Sequence, residues 1–135
     1  MKRFIICLML LSAIAFTLVR CKLKSDNYIK TVVELNIDSW VLPDEATVSS
    51  PFNLILHAST ENTCYSGIQF AIEENDGKKY VYAQSVFENS GEVCPPLTVY
   101  KDSTISITLS QAGKTYYYFL NENKWKKDSI IINPL

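Results

Sequence analysis

From Val33 onward, apolar and polar residues alternate along the chain with a period of two, as in strands that bury one face and show the other to water. Val33, Leu35 and Ile37 form one face of a first strand, with Glu34, Asn36 and Asp38 opposite. Trp40 and Val41 extend it until Pro43 breaks it. In a second strand, Phe52, Leu54, Leu56 and Ala58 point one way and Asn53, Ile55 and His57 the other. A third strand through Ile68, Phe70 and Ile72 and a fourth through Tyr80, Tyr82 and Val86 flank Asn75-Asp76-Gly77, the strongest hairpin signal in the chain. Ile105, Ile107 and Leu109 mark a fifth, Thr115 to Leu120 a sixth, and Ile130, Ile131 and Ile132 a seventh, entered through the turn Asn121-Glu122-Asn123-Lys124.

Seven strands at this spacing predict an all-β, seven-stranded immunoglobulin-like antiparallel sandwich. The first twenty residues follow another rule. Lys2 and Arg3 precede an apolar run from Phe4 to Val19, the layout of an export signal. As a helix, that run would span roughly 24 Å at about 1.5 Å per residue, short of a bilayer core about 30 Å thick. The expected organisation is therefore a signal helix and peptide over 1–20, Cys21 and a polar tether over 21–29, and a sandwich domain over 30–135. With 135 residues in all, that is one domain with room for a single core.

Four cysteines refine this picture: Cys7 within the signal, then Cys21, Cys64 and Cys94. Cys64 and Cys94 bracket the predicted hairpin, and we expect them to form a disulfide that staples its outer ends. Such a bond persists in an oxidising compartment. Cys21 is then the odd thiol. Leu18-Val19-Arg20-Cys21 resembles the bacterial lipobox, in which cleavage before the Cys leaves it as a lipidated N-terminus; Arg20 stands where that pattern has Gly, Ala or Ser. The resemblance implies lipidation at Cys21 and a membrane anchor. The alternative is cleavage after Ala13-Ile14-Ala15, which releases a soluble, secreted protein.

Taken together, Cys21, the Cys64 and Cys94-Pro95 pair, Gly113 ahead of Tyr116-Tyr117-Tyr118-Phe119, and Asp128-Ser129-Ile130 resemble small lipoproteins of Bacteroidota-type bacteria with a single immunoglobulin-like domain. The resemblance spans about residues 30 to 133 and implies an envelope location. Surface-displayed lipoproteins of that group carry acidic residues after the Cys, whereas Lys22 and Lys24 stand here, which implies the periplasmic face. Asp102-Ser103-Thr104 and Asp128-Ser129-Ile130 resemble the O-glycosylation sequon of the same group. Of the two, Asp102 follows an expected loop, which makes Ser103 the candidate acceptor.

Charge narrows the list of partners. Beyond residue 20 there are ten lysines against fourteen carboxylates, with no basic run, which argues against nucleic acid. His57 is the only histidine and lies on the face opposite Phe52 and Leu54, without the converging groups that a catalytic base or metal needs. Glu73, Glu74 and Asp76 have the charge of a calcium loop but not its spacing, so they read as a solvated hairpin tip. No cofactor and no nucleophile–base set is expected, and the chain does not read as an enzyme. Eight tyrosines are the notable enrichment. Tyr80 and Tyr82 share one strand face, and Tyr116 and Tyr118 another. Tyr116, three residues after Gly113, resembles a tyrosine corner that braces the fold. Trp125, among Lys124, Lys126 and Lys127, fits a core poorly, so Trp125, Tyr80 and Tyr82 are the candidate contacts to a protein or glycan. The stiff loop at Cys94-Pro95-Pro96 supports a second reading, an inhibitor of an envelope or extracellular hydrolase such as a lysozyme or protease.

Overall fold

Every second residue of the strand Pro51–Thr60 is buried, from Phe52 through Leu54, Leu56 and Ala58 to Thr60, as the alternation predicts. The computed structural model describes residues 28–135, so the expected signal peptide and Cys21 lie outside the described residues. Nine strands run in order: β1 (Ile29–Leu35), β2 (Ser39–Val41), β3 (Glu45–Thr47), β4 (Pro51–Thr60) and β5 (Tyr65–Asn75). They continue with β6 (Lys78–Asn89), β7 (Val99–Thr108), β8 (Gly113–Asn121) and β9 (Lys124–Asn133). Six form one sheet in the order β1-β6-β8-β9-β3, with β5 also paired to β6, and β2-β4-β7 form a second. The two sheets face each other as a β-sandwich.

Three expectations are corrected. The count is nine among the described residues, not seven, because β2 and β3 add three residues each. Trp40 and Val41 do not extend the first strand. Residues 36–38 carry the chain across to the other sheet, where Ser39–Val41 pairs with His57, Leu56 and Ile55 of β4. The pairing is also not wholly antiparallel: β6 with β8 and β3 with β9 run parallel.

The core is filled from both sheets. Leu54 and Leu56 of β4 meet Val81, Tyr117, Phe119, Ile130 and Ile132 of β6, β8 and β9. Ile37, at the crossover, is fully buried between them. The Trp40 ring stacks on Phe119 with centroids 4.3 Å apart, and its indole N–H donates to Asp128 at 2.8 Å. Stacking plus a satisfied donor is what keeps a half-buried indole from costing stability. Tyr117 is less well served. Its side chain is wholly buried and its hydroxyl has no hydrogen-bond partner among the described residues. Burial, with a smaller contribution from the Glu74 charge, pushes this phenol up to about 12 from an ordinary value of 10.0.

The β5–β6 hairpin turns through Asp76 and Gly77, both at positive φ, between the paired Asn75 and Lys78. That is the two-residue turn whose twist matches the strands it joins. Near its open end one extra residue is inserted in β5 between Ser66 and Gln69, with Gly67 at a φ of 65°. The bulge frees the Ser66 carbonyl to accept a hydrogen bond from the Ser85 hydroxyl at 2.7 Å. Beyond it lies the disulfide Cys64–Cys94, with Cα atoms 5.5 Å apart and a sequence separation of 30. The Cys64 carbonyl also accepts from the Glu88 N–H, and the Pro95 carbonyl from Thr63 N–H, so the closed end is bonded on both sides of the staple.

Two predictions follow from these groups. Replacing Cys64 and Cys94 together by Ala should lower the unfolding free energy by about 2–4 kcal/mol in denaturant titrations while leaving the circular dichroism spectrum β-like. For Tyr117, the raised folded value means that its contribution to stability is complete below pH 10 and falls as pH climbs from 10 toward 12, where only the unfolded chain ionises. The loss should approach about 1.4 kcal/mol per pH unit in that window. Tyr117→Phe should remove this alkaline dependence and, by deleting an unpartnered hydroxyl, leave neutral-pH stability unchanged or raised by up to about 1 kcal/mol.

Candidate functional site

Because Val81, Ala83 and Ser85 of β6 face the core, Tyr80 and Tyr82 face outward. The same argument on β8 turns Tyr116 and Tyr118 outward, since Tyr117 and Phe119 are buried. On β9, burial of Ile130 and Ile132 puts Trp125 and Lys127 on the outer face. Parallel pairing then sets Tyr80 directly beside Tyr118, and the β8–β9 ladder sets Leu120 beside Trp125 and Tyr118 beside Lys127. The outer face of the six-stranded sheet thus becomes an aromatic surface.

Its centre is a three-ring cluster. Tyr80 stacks on Tyr118 at 5.3 Å, and Trp125 meets Tyr80 edge-on at 5.1 Å. Both tyrosines are half-buried, while Trp125 keeps 45% of its surface exposed. Two of the three candidate contacts, Tyr80 and Trp125, therefore lie in one cluster. Tyr82 lies on the same face, and its hydroxyl donates to Glu73. That hydrogen bond is the main cause raising the Tyr82 phenol above its ordinary value, with burial and the Glu73 and Glu34 charges adding to it.

Three lysines border the rings. The Lys127 ammonium sits 3.8 Å from the centroid of Tyr116, with Lys114 at 5.7 Å from the same ring and Lys78 at 6.0 Å from that of Tyr118. Ring quadrupoles attract such cations without neutralising them. Among the described residues none of the three is in a salt bridge, whereas Lys30, Lys79 and Lys126 pair with Glu88, Glu74 and Glu122. The sequence showed Trp125, Tyr80 and Tyr82 as candidates but not Tyr118 or the bordering lysines. Tyr118 joins the cluster through a parallel β6–β8 pairing that no local signal encodes, while Lys127 reaches Tyr116 across the β8–β9 ladder and Lys114 along β8 itself.

Other expected residues fall elsewhere. Tyr116 does not form a tyrosine corner: its ring lies outward between Lys114 and Lys127, and its hydroxyl makes no hydrogen bond among the described residues. The buried tyrosine is its neighbour Tyr117. His57 has a partner after all, its Nδ1 lying 2.7 Å from Asp102 Oδ1, because β4 and β7 place the two opposite each other. Ser39 stands on the other side of His57 in the same cross-strand row. Asp102 and Ser103 lie within β7 rather than after a loop, and Ser103, opposite the buried Leu56, faces between the sheets and is half-buried.

The acidic hairpin tip is divided between partners. Glu73 accepts from Tyr82, and Lys79 holds the Glu74 carboxyl below its usual range. Among the described residues no three carboxylate, thiol or imidazole side chains converge as a metal site. Around the staple, the Cys94-Pro95-Pro96 loop shows apolar side chains to solvent, Val93 at 90% and Leu97 at 60% exposure. Among the described residues no helix is long and apolar enough to cross a membrane. No known protein family, curated protein or solved structure matches the chain.

Proposed function

We propose that this chain is an envelope-anchored, non-enzymatic binding module whose contact surface is the outer face of the six-stranded sheet. The observation that carries the reading is the half-exposed Trp125, held edge-on against the Tyr80–Tyr118 stack instead of entering the core. Preset aromatic rings lose little conformational entropy on binding and present a broad apolar area. The immunoglobulin-like reading of the sandwich is supported by two facing sheets with the Trp40–Phe119 stack between them. A second reading, inhibition of an envelope hydrolase, is favoured by the exposed Val93 and Leu97 on either side of the stapled Cys94-Pro95-Pro96 loop.

These readings separate by mutation. Trp125→Ala should leave the melting temperature nearly unchanged and weaken retention of the full-length protein on isolated envelope fractions by about tenfold or more, the loss typical of an aromatic hot spot. A melting temperature lower by many degrees would mark Trp125 as a core residue, since large-to-small core changes cost about 3–5 kcal/mol. Under the inhibitor reading, the chain instead slows a lysozyme or a protease in a mixed assay, and the effect vanishes on changing Val93 and Leu97 to Ser while surviving Trp125→Ala.

Anchoring belongs to the same proposal. A diacylglycerol on Cys21 buries many methylenes at about 0.8 kcal/mol each, and more than one acyl chain makes attachment stable. The aromatic face is then available for a ligand, since membrane attachment does not require it. Cys21→Ala should move the protein from the detergent phase to the soluble fraction or leave it as an uncleaved precursor. A mature N-terminus at Phe16 without lipid on Cys21 would show that the secreted form is the true one.

A further inference from the structure

Resting on the proposed binding face, we infer that its ligand is an acidic polysaccharide, a chain of uronic-acid type. The apolar faces of its sugar rings stack on Trp125 and Tyr80, and its carboxylates reach Lys78, Lys114 and Lys127.

Charge distribution selects this chemistry. The described residues hold eight lysines against thirteen carboxylates, so the domain as a whole repels anions. Three of those lysines nevertheless gather on one sheet face over Tyr116 and Tyr118, unpaired among the described residues. The carboxylates nearest the rings lie on the β5 and β1 side: Glu73 is paired in register with Tyr80 and accepts from the Tyr82 hydroxyl, the charge of Glu34 on β1 reaches Tyr82, and Glu74 holds Lys79. The result is a cationic, aromatic β8–β9 half and an acidic margin at β5. A neutral ligand would leave the lysines unused, and a cationic one would be repelled by them.

Shape selects a polymer over a small anion. The rings sit on adjacent strands of a sheet face, and the lysines on β6, β8 and β9 are spread over two inter-strand spacings, about 10 Å. Successive units of one chain can reach them together. Densely charged nucleic acid fits less well. Three lysines on a net-negative domain would gain little from counterion release, and Trp125 meets its neighbour edge-on instead of forming a stacked ladder.

The test uses the full-length chain in mild detergent, with polygalacturonate as probe beside its methyl ester, neutral dextran and duplex DNA, in affinity electrophoresis. Polygalacturonate should retard the protein, and its methyl ester and dextran should not. Retardation should weaken between about 50 mM and about 500 mM NaCl, as exposed charges are screened. Trp125→Ala and the double variant Lys114→Gln/Lys127→Gln should each weaken it about tenfold or more, with unchanged melting temperatures as the folding control.

Equal retardation by the methyl ester, or an undiminished response in the lysine variant, overturns the acidic class. If dextran or the ester is then bound and lost in Trp125→Ala, the binding face stands with a neutral ligand. No retardation by any polymer, with envelope retention still dependent on Trp125, overturns the polysaccharide inference alone. Retardation by DNA and polygalacturonate alike, indifferent to Trp125→Ala, marks generic charge and overturns both the ligand class and the face.

Discussion

Strand β6 has two edges, and three strands use them. β5 takes one edge along nearly its whole length, from Asn75–Lys78 to Tyr65–Phe87. The other edge is shared, antiparallel β1 covering Ala83 to Asn89 and parallel β8 covering Lys79 to Val81. The two meet end to end near Ala83, where the Ile37 N–H donates to the Leu120 carbonyl at 2.7 Å and closes the gap. Because the side-chain period is two, this one strand assigns both surfaces at once. Val81 and Ala83 enter the core, and Tyr80 and Tyr82 form the outer face. A slip of one residue would put phenols into the core and valine into water, so core packing holds the aromatic face in register.

This coupling explains what the sequence could and could not show. The burial of Phe52, Leu54, Leu56 and Ala58, the turn at Asp76-Gly77 and the pairing of Cys64 with Cys94 rest on local pattern, and the structure has all of them. The parallel β6–β8 contact, the crossover at 36–38 and the short β2 and β3 were not legible, because each depends on where a distant strand comes to rest. The same boundary runs through the site. Trp125 stood out because it sits among lysines in a hairpin, and Tyr80 and Tyr82 because they alternate. Tyr118 became part of the site only through its nonlocal neighbour Tyr80. For Tyr116 and Tyr117 the spacing from Gly113 misled. The core required a ring on the inward parity of β8, which is that of Tyr117, and Tyr116 was left to the lysines.

The buried phenol shows the cost of that parity. Tyr117 fills volume beside Phe119 and Leu54 but brings a hydroxyl that no group among the described residues meets. An unmet buried donor costs roughly 1–3 kcal/mol, tolerated here because the ring's burial contributes a comparable or larger amount. On the other side of the same strand Tyr116 and Tyr118 are only half-buried, and lysines lie over their rings. Consecutive tyrosines thus meet opposite environments, and burial pushes the inward phenol up to about 12.

The position of Trp125 depends finally on a turn poorly suited to its own sequence. Glu122 and Asn123 both adopt positive φ between the paired Asn121 and Lys124. Asparagine tolerates that conformation; glutamate is less suited to it. The crossover that brings β1 to β2 supplies the missing stability. Asn36 accepts from the Asn123 N–H at 2.9 Å and donates to its side chain at 3.3 Å, while Asn121 donates to the Ile37 carbonyl at 2.6 Å. Lys126 returns to Glu122 at 2.9 Å, which stabilises the tip further, though by little because both groups are exposed. The hairpin that carries Trp125 is therefore braced by the same three residues, 36 to 38, that move the chain from one sheet to the other. A contact ring at a hairpin end would ordinarily lose entropy when it binds. The crossover fixes that hairpin end in advance, which supports the proposed reading of the aromatic face as a preformed surface.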